Sequence, residues 1–385
     1  MGDGMAQAIS GFPFLPESPA GYRFWAGAEA LLWWEKDEHL PANLVTSGLP
    51  TDAVPGALGQ PNTLGLSGPG NVNFGPFAGL RLFAGAWLDP QQILGVEAGG
   101  FVLQEQGQGF NFNSTVGGNP LLALRHFDAA SGAQDAFVIA SPSSSTGGIA
   151  VQTDSQLWGA DANVLHTFFW TRSFRLVGLF GFRYLDLSEA LSIQTRSMAI
   201  SGSAVSFLGQ SFAAPSYDLT ADRFNARNQF FGGQVGLRSE YYFSHFFVAA
   251  IGKLAVGQTD EVRNALGVST LQIGTTPVQS TAGGLFAVPS NSGHFVNEDL
   301  GIVPELQLKG GVLLTRWLRA TIGYDVLYWS RVLRASDTLD LTVDTRQVPT
   351  SPAYQPGVAV HSPSAMFNPS SFWVQGLTLG LEFTY

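Results

Sequence analysis

Large apolar side chains alternate with small or polar ones over residues 377–385. Successive side chains of an extended strand point to opposite faces, so one face carries Leu377, Leu379, Leu381, Phe383 and Tyr385. The residues between them are Thr, Gly, Glu and Thr, and they share the other face. This segment therefore predicts a β-strand with one continuous apolar face.

The same alternation, bounded by turn residues, predicts ten strands in all. They are expected at 23–36, 77–88, 93–112, 149–168, 174–190, 224–243, 246–261, 294–314, 318–334 and 371–385. Four connections between them are tight, at 89–92, 170–173, 244–245 and 315–317. The other five are long loops near 37–76, 113–148, 191–223, 262–293 and 335–370.

Short turns that alternate with long loops indicate a membrane barrel. Long loops without secondary structure are uncommon in compact soluble domains, whereas outer-membrane barrels have short periplasmic turns and long extracellular loops. We therefore expect one all-β domain at 23–385, a single antiparallel transmembrane β-barrel of ten strands. Twelve strands are the alternative, because 199–211 has room for a further hairpin. Residues 1–22 are expected to form an N-terminal periplasmic segment.

Composition favours a membrane protein built from strands. Only 12% of the 385 residues are charged, about half the usual share, so little charge is available for a surface in water. No run reaches the roughly 18 consecutive apolar residues of a transmembrane helix, and hydrocarbon admits strands only as a closed barrel. Aromatic residues cluster near the tight turns and near the loops, which predicts two belts at the membrane interfaces: Trp33, Trp34, Trp87, Trp158, Trp170, Tyr184, Tyr241, Trp317, Tyr328, Trp373, Phe383 and Tyr385.

Charge and cysteine content narrow the classes of function and the compartment. The formal net charge is −10 and no Lys or Arg cluster is present, which argues against nucleic-acid binding. The chain has no cysteine, so disulfides and thiolate metal sites are excluded. Residues 1–8 lack the basic and apolar regions of a signal peptide. We expect a bacterial outer-membrane location with the signal peptide already removed.

Strand parity places seven acids and seven bases inside the predicted barrel. The acids are Glu29, Glu97, Asp161, Glu240, Glu305, Asp325 and Glu382, and the bases are Arg81, Arg183, Arg238, Lys253, Lys309, Arg319 and Arg331. A ten-stranded bore is only a little wider than that of eight-stranded barrels, which side chains fill, and buried ionisable groups are usually paired. We therefore expect an ionic network that occludes the lumen. A narrow channel for ions or small solutes is the alternative.

The sequence carries no catalytic or cofactor motif. It lacks G-x-S-x-G, H-E-x-x-H, a phosphate-binding loop and the spacing of a calcium loop. Asp337, Asp340 and Asp344 are unevenly spaced in a loop, where solvated carboxylates are the simpler interpretation. We therefore predict no enzyme activity, no metal site and no cofactor. A hydrolase with a loop-side site is a third hypothesis, and its candidate residues are His39, Asp52, His126, Asp128, His294, Glu298 and Asp299.

Seven segments together resemble a known family. They are 24–34 (FWAGAEALLWW), 57–61 (ALGQP), 157–163 (LWGADAN), 181–187 (GFRYLDL), 227–236 (RNQFFGGQVG), 303–305 (VPE) and 323–330 (GYDVLYWS). These segments resemble the outer-membrane β-barrel porin family known chiefly from planctomycete-type bacteria, from about residue 23 onward. The resemblance implies an outer-membrane barrel without established catalytic or binding residues. Arg183, Glu305 and Asp325 lie in these segments and also face inward by parity, which favours an architectural role.

Together these observations predict a structural or surface-interaction role. The loops are rich in Gly, Ser, Thr and Asn, a composition suited to contact with a partner surface. The expected partners are outer-membrane lipid, the outer-membrane barrel assembly machinery and a protein or surface that the loops contact, with no nucleic acid. Small outward residues such as Ala250 and Gly252 would allow the outer walls of two copies to pack together, so a homo-oligomer is a further expectation.

Overall fold

The wall of the molecule is a ring of antiparallel strands. The computed structural model describes residues 23–67 and 70–385, so the segment predicted at 1–22 lies outside the described residues. The ring strands are β1 (Phe24–Glu35), β2 (Phe77–Trp87), β3 (Leu94–Leu103), β4 (Ser145–Trp170), β5 (Phe174–Ala199), β6 (Ser216–Phe243), β7 (Phe246–Ile273), β8 (Gly293–Leu313), β9 (Leu318–Val332) and β10 (Ser370–Thr384).

The ring closes where β10 pairs with both β9 and β1. Leu379 lies opposite Ile322 on one side and Ala30 on the other. The carbonyl of Tyr385 accepts hydrogen bonds from the amides of Arg23 (2.7 Å) and Phe24 (2.9 Å). Within the described ranges the ring therefore has ten strands, which confirms the predicted all-β barrel. The segment at 199–211 contributes to a separate hairpin, Ala204–Phe207 with Gln210–Ala213, so the twelve-stranded alternative is wrong.

The alternation predicted for the last strand is present in the structure. Leu379 is 57% exposed on the outer face of β10, whereas its neighbour Thr378 is 1% exposed on the inner face. The barrel has a turn end, where the short connections lie, and a loop end, where the long ones lie. The described part of the chain contains no helix that is long and apolar enough to cross a membrane.

Four adjacent strands are much longer than predicted. β4 and β5 have 26 residues each and β6 and β7 have 28 each, whereas about 9–11 residues suffice to cross a bilayer. We call the loop-end part of these four strands that exceeds this length, together with the strand Gln106–Asn113 that pairs with β4, the extension. The prediction missed it because inward residues there include Thr195, Thr220 and Ser269, which interrupt the apolar–polar alternation.

The long loops fold over the loop end of the barrel and form a cap. Val45–Ser47 pairs with Leu64–Gly65 and with Leu122–Asp128, which also pairs with Ala133–Ala140 and, in parallel, with Thr342–Val343. The remaining short elements are Glu38–His39 with Asn71–Val72, Thr276–Ala282 on β7, and the 3-10 helices Ser336–Thr338 and Thr345–Gln347. Apolar side chains of the long loops, among them Leu124, Phe286 and Leu333, are buried in one cluster.

Three glycines in register make room for a ring inside the barrel. Gly232, Gly257 and Gly301 lie opposite one another on β6, β7 and β8. A Cβ atom on Gly232 would lie 2.4 Å from Cζ of Phe230 and 2.8 Å from the carbonyl oxygen of Val256. The inward position at 232 therefore has no room for a methyl group.

We predict that Gly232→Ala lowers the stability of the barrel, because the methyl group displaces the buried Phe230 ring. Overpacking of this kind costs about 1–3 kcal/mol. Gly233→Ala is the control, since a Cβ there has no described heavy atom within 4 Å. Thermal unfolding of both variants in detergent tests this, and equal melting temperatures would contradict it.

Candidate functional site

The inward side chains of the ring sort into levels along the barrel axis. Near the turn end an aromatic group contains Trp25 and Trp87. Above it lies a level of paired charges, which we call the ionic layer. A level of large apolar side chains follows, which we call the apolar layer, and the cap lies beyond it.

Arg81 is the centre of the ionic layer. The β1–β2 register places it directly opposite Glu29, and its Nη1 lies 2.8 Å from Oε2 of Glu29 and 2.8 Å from Oδ2 of Asp325. Its Nη2 lies 3.8 Å from Oε1 of Glu305. Lys309 adds a second cation, with Nζ 2.5 Å from the other oxygen of Glu29. One guanidinium thus joins β1, β2, β8 and β9 across the bore.

A second group of pairs lies on the opposite wall. Arg183 of β5 pairs with Glu305 of β8, and Nζ of Lys253 lies 2.9 Å from Oδ2 of Asp161. The amide of Gln234 donates to Oδ1 of Asn163 at 2.6 Å and to Oδ2 of Asp161 at 3.2 Å. Charges from β4, β5, β7 and β8 are thereby joined to the Arg81 group through Glu305.

The third group lies toward the turn end. Arg238 lies 2.5 Å from Glu97, which also accepts a hydrogen bond from Trp25 Nε1 at 3.0 Å. Arg319 lies 2.6 Å from Glu382 and 3.9 Å from Glu240. The hydroxyl of Tyr242 donates to Glu240 at 2.8 Å. Each base at this level therefore lies beside at least one acid.

All of the predicted lumen residues except Arg331 form ion pairs within the ionic layer. For Arg331 the parity argument is wrong, because a register irregularity between Trp329 and Val332 interrupts the alternation of β9. Its exposed side chain pairs with Asp299 at 2.5 Å near the loop end. Parity should have included Arg175, which is buried with its Cζ 4.4 Å from the centre of the Trp87 ring.

A cavity of about 100 Å³ lies within the ionic layer. Its lining includes the bases Arg81 and Lys309 as well as the acids Glu29 and Glu305. A water molecule takes up about 30 Å³ in the liquid, so the cavity has room for a few waters. It is far smaller than the aqueous channel of a wide porin.

Five aromatic rings form the centre of the apolar layer. The side chains of Trp33, Phe77, Phe230, Trp329 and Phe372 are each 1% exposed or less and come from five strands of the ring. Indole Nε1 of Trp329 donates to Thr259 Oγ1 at 3.0 Å, which satisfies its polar atom. The Cζ of Arg81 lies 5.2 Å from the centre of the Trp33 ring, so the two layers are in contact.

Most of the predicted belt residues lie on the outer face or at its rims. Trp158 is 39% exposed and Tyr184 packs beside it, with ring centroids 5.0 Å apart. The others found outside or at the strand ends are Trp34, Trp170, Tyr241, Trp317, Tyr328, Trp373, Phe383 and Tyr385. Trp33 and Trp87 require correction, because both are buried inside the barrel. Trp33 follows Glu29 by four positions, so its parity already indicated the inner face.

A buried charged cluster joins the wall to the cap. Nε of Arg334 lies 2.6 Å from Oε1 of Glu189, and Oε2 of Glu189 accepts the Ala335 amide at 3.1 Å. The amide of Ser336 donates to Oε1 of Glu38 at 3.0 Å. Burial, together with the charge of Glu189, raises the pKa of Glu38 to about 8. Sequence analysis could not find this cluster, because it depends on how the loops fold.

Four of the candidate hydrolase residues are held in local contacts. His126 is buried and stacked on Phe137, with ring centroids 4.0 Å apart, and its Nε2 lies 3.9 Å from Asp135. Asp128 closes a turn by accepting the amide of Ser131 at 2.9 Å. His39 and His294 contact Asn71 and Asn264. In the part of the chain that the structure describes, no three His, Asp or Glu side chains converge on a metal position.

We predict that Arg81→Met strongly destabilises the barrel, because it leaves Glu29, Asp325 and Glu305 with less compensating charge. Removing one partner of a buried ion pair costs about 3–5 kcal/mol. Arg331→Met is the matched control, since its exposed pair with Asp299 is worth about 0–1 kcal/mol. Thermal unfolding of both variants in detergent measures the difference, and a similar loss in both would contradict the central place of Arg81.

The Glu38 pKa predicts a pH dependence. The folded state binds this proton more tightly than the unfolded chain, whose carboxyl keeps its usual value of 4.5. The free energy of unfolding therefore falls as pH rises from about 4.5 to about 8 and then levels off. We expect Glu38→Gln to flatten this dependence in melting curves recorded from pH 4 to pH 9. The exposed Glu298→Gln serves as the control, and an unchanged slope in Glu38→Gln would count against the assignment.

Several solved outer-membrane proteins align with the chain at low scores. Among solved structures, the outer membrane protease OmpT from Escherichia coli aligns with a TM-score of 0.45 and 9% identity, covering 98% of this chain and 100% of that chain. The Pseudomonas putida toluene transporter TodX (TM-score 0.23, 10% identity, 95% and 90% covered) and a Pseudomonas aeruginosa FadL homologue (0.25, 7%, 94% and 90%) align less well. These low scores carry no functional argument.

The family comparison covers nearly all of the described chain. No curated protein matches the sequence. The model of the family described as "Putative beta barrel porin-7 (BBP7)" matches residues 25–385. These residues include nearly all of the ring, the ionic layer and the cap. The chain therefore belongs to the beta barrel porin-7 family and is an outer-membrane β-barrel.

Proposed function

We propose that this protein is a closed outer-membrane barrel with a structural or surface-contact role, and that its lumen conducts neither ions nor small solutes. The observation that carries the proposal is the succession of two filled levels in one narrow bore, with paired charges below and packed aromatic rings above. Ten strands leave little more room than the eight-stranded barrels whose interiors are filled by side chains.

The ionic layer supports the closed state through its pairing. Arg81 is held by carboxylates of β1 and β9, and Arg183 is held by Glu305 of β8. An ion that passes must separate such pairs, and separating a buried pair leaves an uncompensated charge. The mixture of both signs also provides no ring of one charge that could select ions.

The apolar layer supports the closed state by excluding water. Hydrophobic constrictions close pores by dewetting, and here Trp33, Phe230 and Trp329 are in a cluster almost without solvent contact. An ion that leaves the ionic layer toward the loop end would have to lose its hydration among these rings. The cap, fixed to the wall by Arg334 and Glu189, lies beyond them.

The surface-contact role rests on the extension and the cap. β4 to β7 continue far beyond the length that a bilayer requires, and the cap and these strands share a buried apolar cluster. Such ordered structure outside the membrane suits contact with a partner surface. We propose outer-membrane lipid and the barrel assembly machinery as partners of the wall. We also propose that the outer face can form a homo-oligomer. We propose that the protein is not an enzyme.

A narrow channel is the second candidate, and the cavity in the ionic layer favours it. If the apolar layer moved aside, this charged cavity would become part of a path across the barrel. The same experiment decides between the two functions.

We predict that the refolded barrel is silent in single-channel recordings across a planar lipid bilayer. The double variant Trp33→Ala, Trp329→Ala should conduct, because it removes two of the largest side chains of the apolar layer. Trp158→Ala is the control, since it removes an indole from the outer face. Circular dichroism and thermal unfolding verify that the variants are folded. Steady open-channel steps from the unmodified protein would overturn the closed barrel and support the channel.

A further inference from the structure

A groove of about 640 Å³ lies on the extension, outside the barrel wall. It runs across the strand Gln106–Asn113 and across β4, β5, β6 and β7. We call it the outer groove. Five strands spaced about 4.8 Å apart make it about 19 Å wide, the size of a short oligosaccharide.

The strand register explains the shape of the outer groove. Asn111, Ala150, Gln194, Ala221 and Val268 lie opposite one another in a row across the five strands. Ala150 and Ala221 have the smallest side chains of this row and lie on either side of Gln194. The floor is therefore low and partly apolar between polar side chains that can donate and accept hydrogen bonds.

The next row supplies the charge. Gly148 lies beside Arg196, which lies beside Leu219, with Asn113 and Thr270 at the two sides. Among the described residues that line the groove, Arg196 is the charged one and none is an acid. Its exposed guanidinium lies 4.8 Å from the centre of the Tyr217 ring and forms no ion pair with any other described residue. A positive groove on a chain of net charge −10 is suited to an anionic ligand.

The height of the groove decides the source of that ligand. Gln194 follows the belt residue Tyr184 by ten positions along β5. Ten residues of strand rise about 33 Å, and a tilt of about 40° reduces this to about 25 Å above the belt. Charged lipid headgroups at the membrane surface are too far below to reach Arg196, whereas a polysaccharide chain outside the membrane can reach it.

We propose that the outer groove binds an acidic polysaccharide, with a uronate carboxylate on Arg196, hydroxyls on Asn113 and Gln194, and the apolar face of a sugar ring over Ala150 and Ala221. Arginine forms bidentate hydrogen bonds with carboxylates, and side-chain amides match the donor and acceptor character of hydroxyls. This inference rests on the proposed surface-contact role and specifies its partner.

The test is calorimetric titration of the purified barrel in detergent with alginate and polygalacturonate oligosaccharides, which carry carboxylates, and with neutral dextran of equal length. We expect binding of at least one acidic oligosaccharide and none of dextran. Arg196→Ala should weaken binding by about tenfold through loss of a charge-assisted hydrogen bond. Ala221→Trp, which places a large ring on the floor, should weaken it by about tenfold or more.

Arg223→Ala is the matched control. Arg223 lies one outward position below Ala221 on the same strand, is exposed, and does not line the groove. It should retain the affinity of the unmodified protein. Failure of both acidic probes to bind, equal losses in Arg196→Ala and Arg223→Ala, or full binding by Ala221→Trp would each overturn the inference.

The bilayer recordings test the closed barrel independently of polysaccharide binding. If the protein neither conducts nor binds the acidic oligosaccharides, the proposed ligand of the outer groove is overturned and the closed barrel is still supported. Polysaccharide binding by a protein that conducts would support the groove and overturn the closed barrel.

Discussion

The pairing of β10 with β1 is the constraint on which the rest of the structure depends. Hydrocarbon cannot satisfy backbone N–H and C=O groups, so a sheet that crosses it must have no free edge. With ten strands the closed ring has a narrow bore, and every inward charge is close to others. The arrangement of Glu29, Arg81 and Asp325 follows from this. Glu29 and Arg81 lie on the neighbouring strands β1 and β2, and Asp325 lies on β9, so the three side chains come together only when β10 pairs with β1.

The two layers of the lumen depend on each other. The Trp33 ring lies against the guanidinium of Arg81 and helps to keep water from one end of the ionic layer. Low access to water strengthens the attraction between paired charges and raises the cost of an unpaired one. Packing above thus influences electrostatics below, and a change in either layer affects the other.

The sequence predicted the ring and most of the ionic layer because both depend on a period of two along each strand. Parity failed for Arg331, where an irregularity in β9 that leaves no clear signal in the sequence shifts the register. Trp33 was misplaced for another reason, since its residue type favoured an interface although its parity favoured the lumen. The extension was missed because it carries polar residues at inward positions, such as Thr195 and Thr220, and also at outward ones, such as Gln194 and Arg223. Its strands therefore lack the outward apolar face by which the ring strands were predicted. Arg334 and Glu189 are 145 residues apart, and only the folded loops bring them together.

The seam between β1 and β10 also has a consequence for the order of folding. Trp25 pairs with Thr384, so this contact joins residues separated by nearly the whole described chain. Neighbouring hairpins such as β6 and β7 can form from local contacts, but the seam pays the largest loop-closure entropy and has the highest sequence separation. Until it forms, β1 and β10 are open edges, and Arg81 has Glu29 beside it but not Asp325 of β9. The strand pairing that removes the last free edge therefore also brings Arg81 to its carboxylate across the seam, so that closure of the cylinder and neutralisation of its interior depend on the same contact.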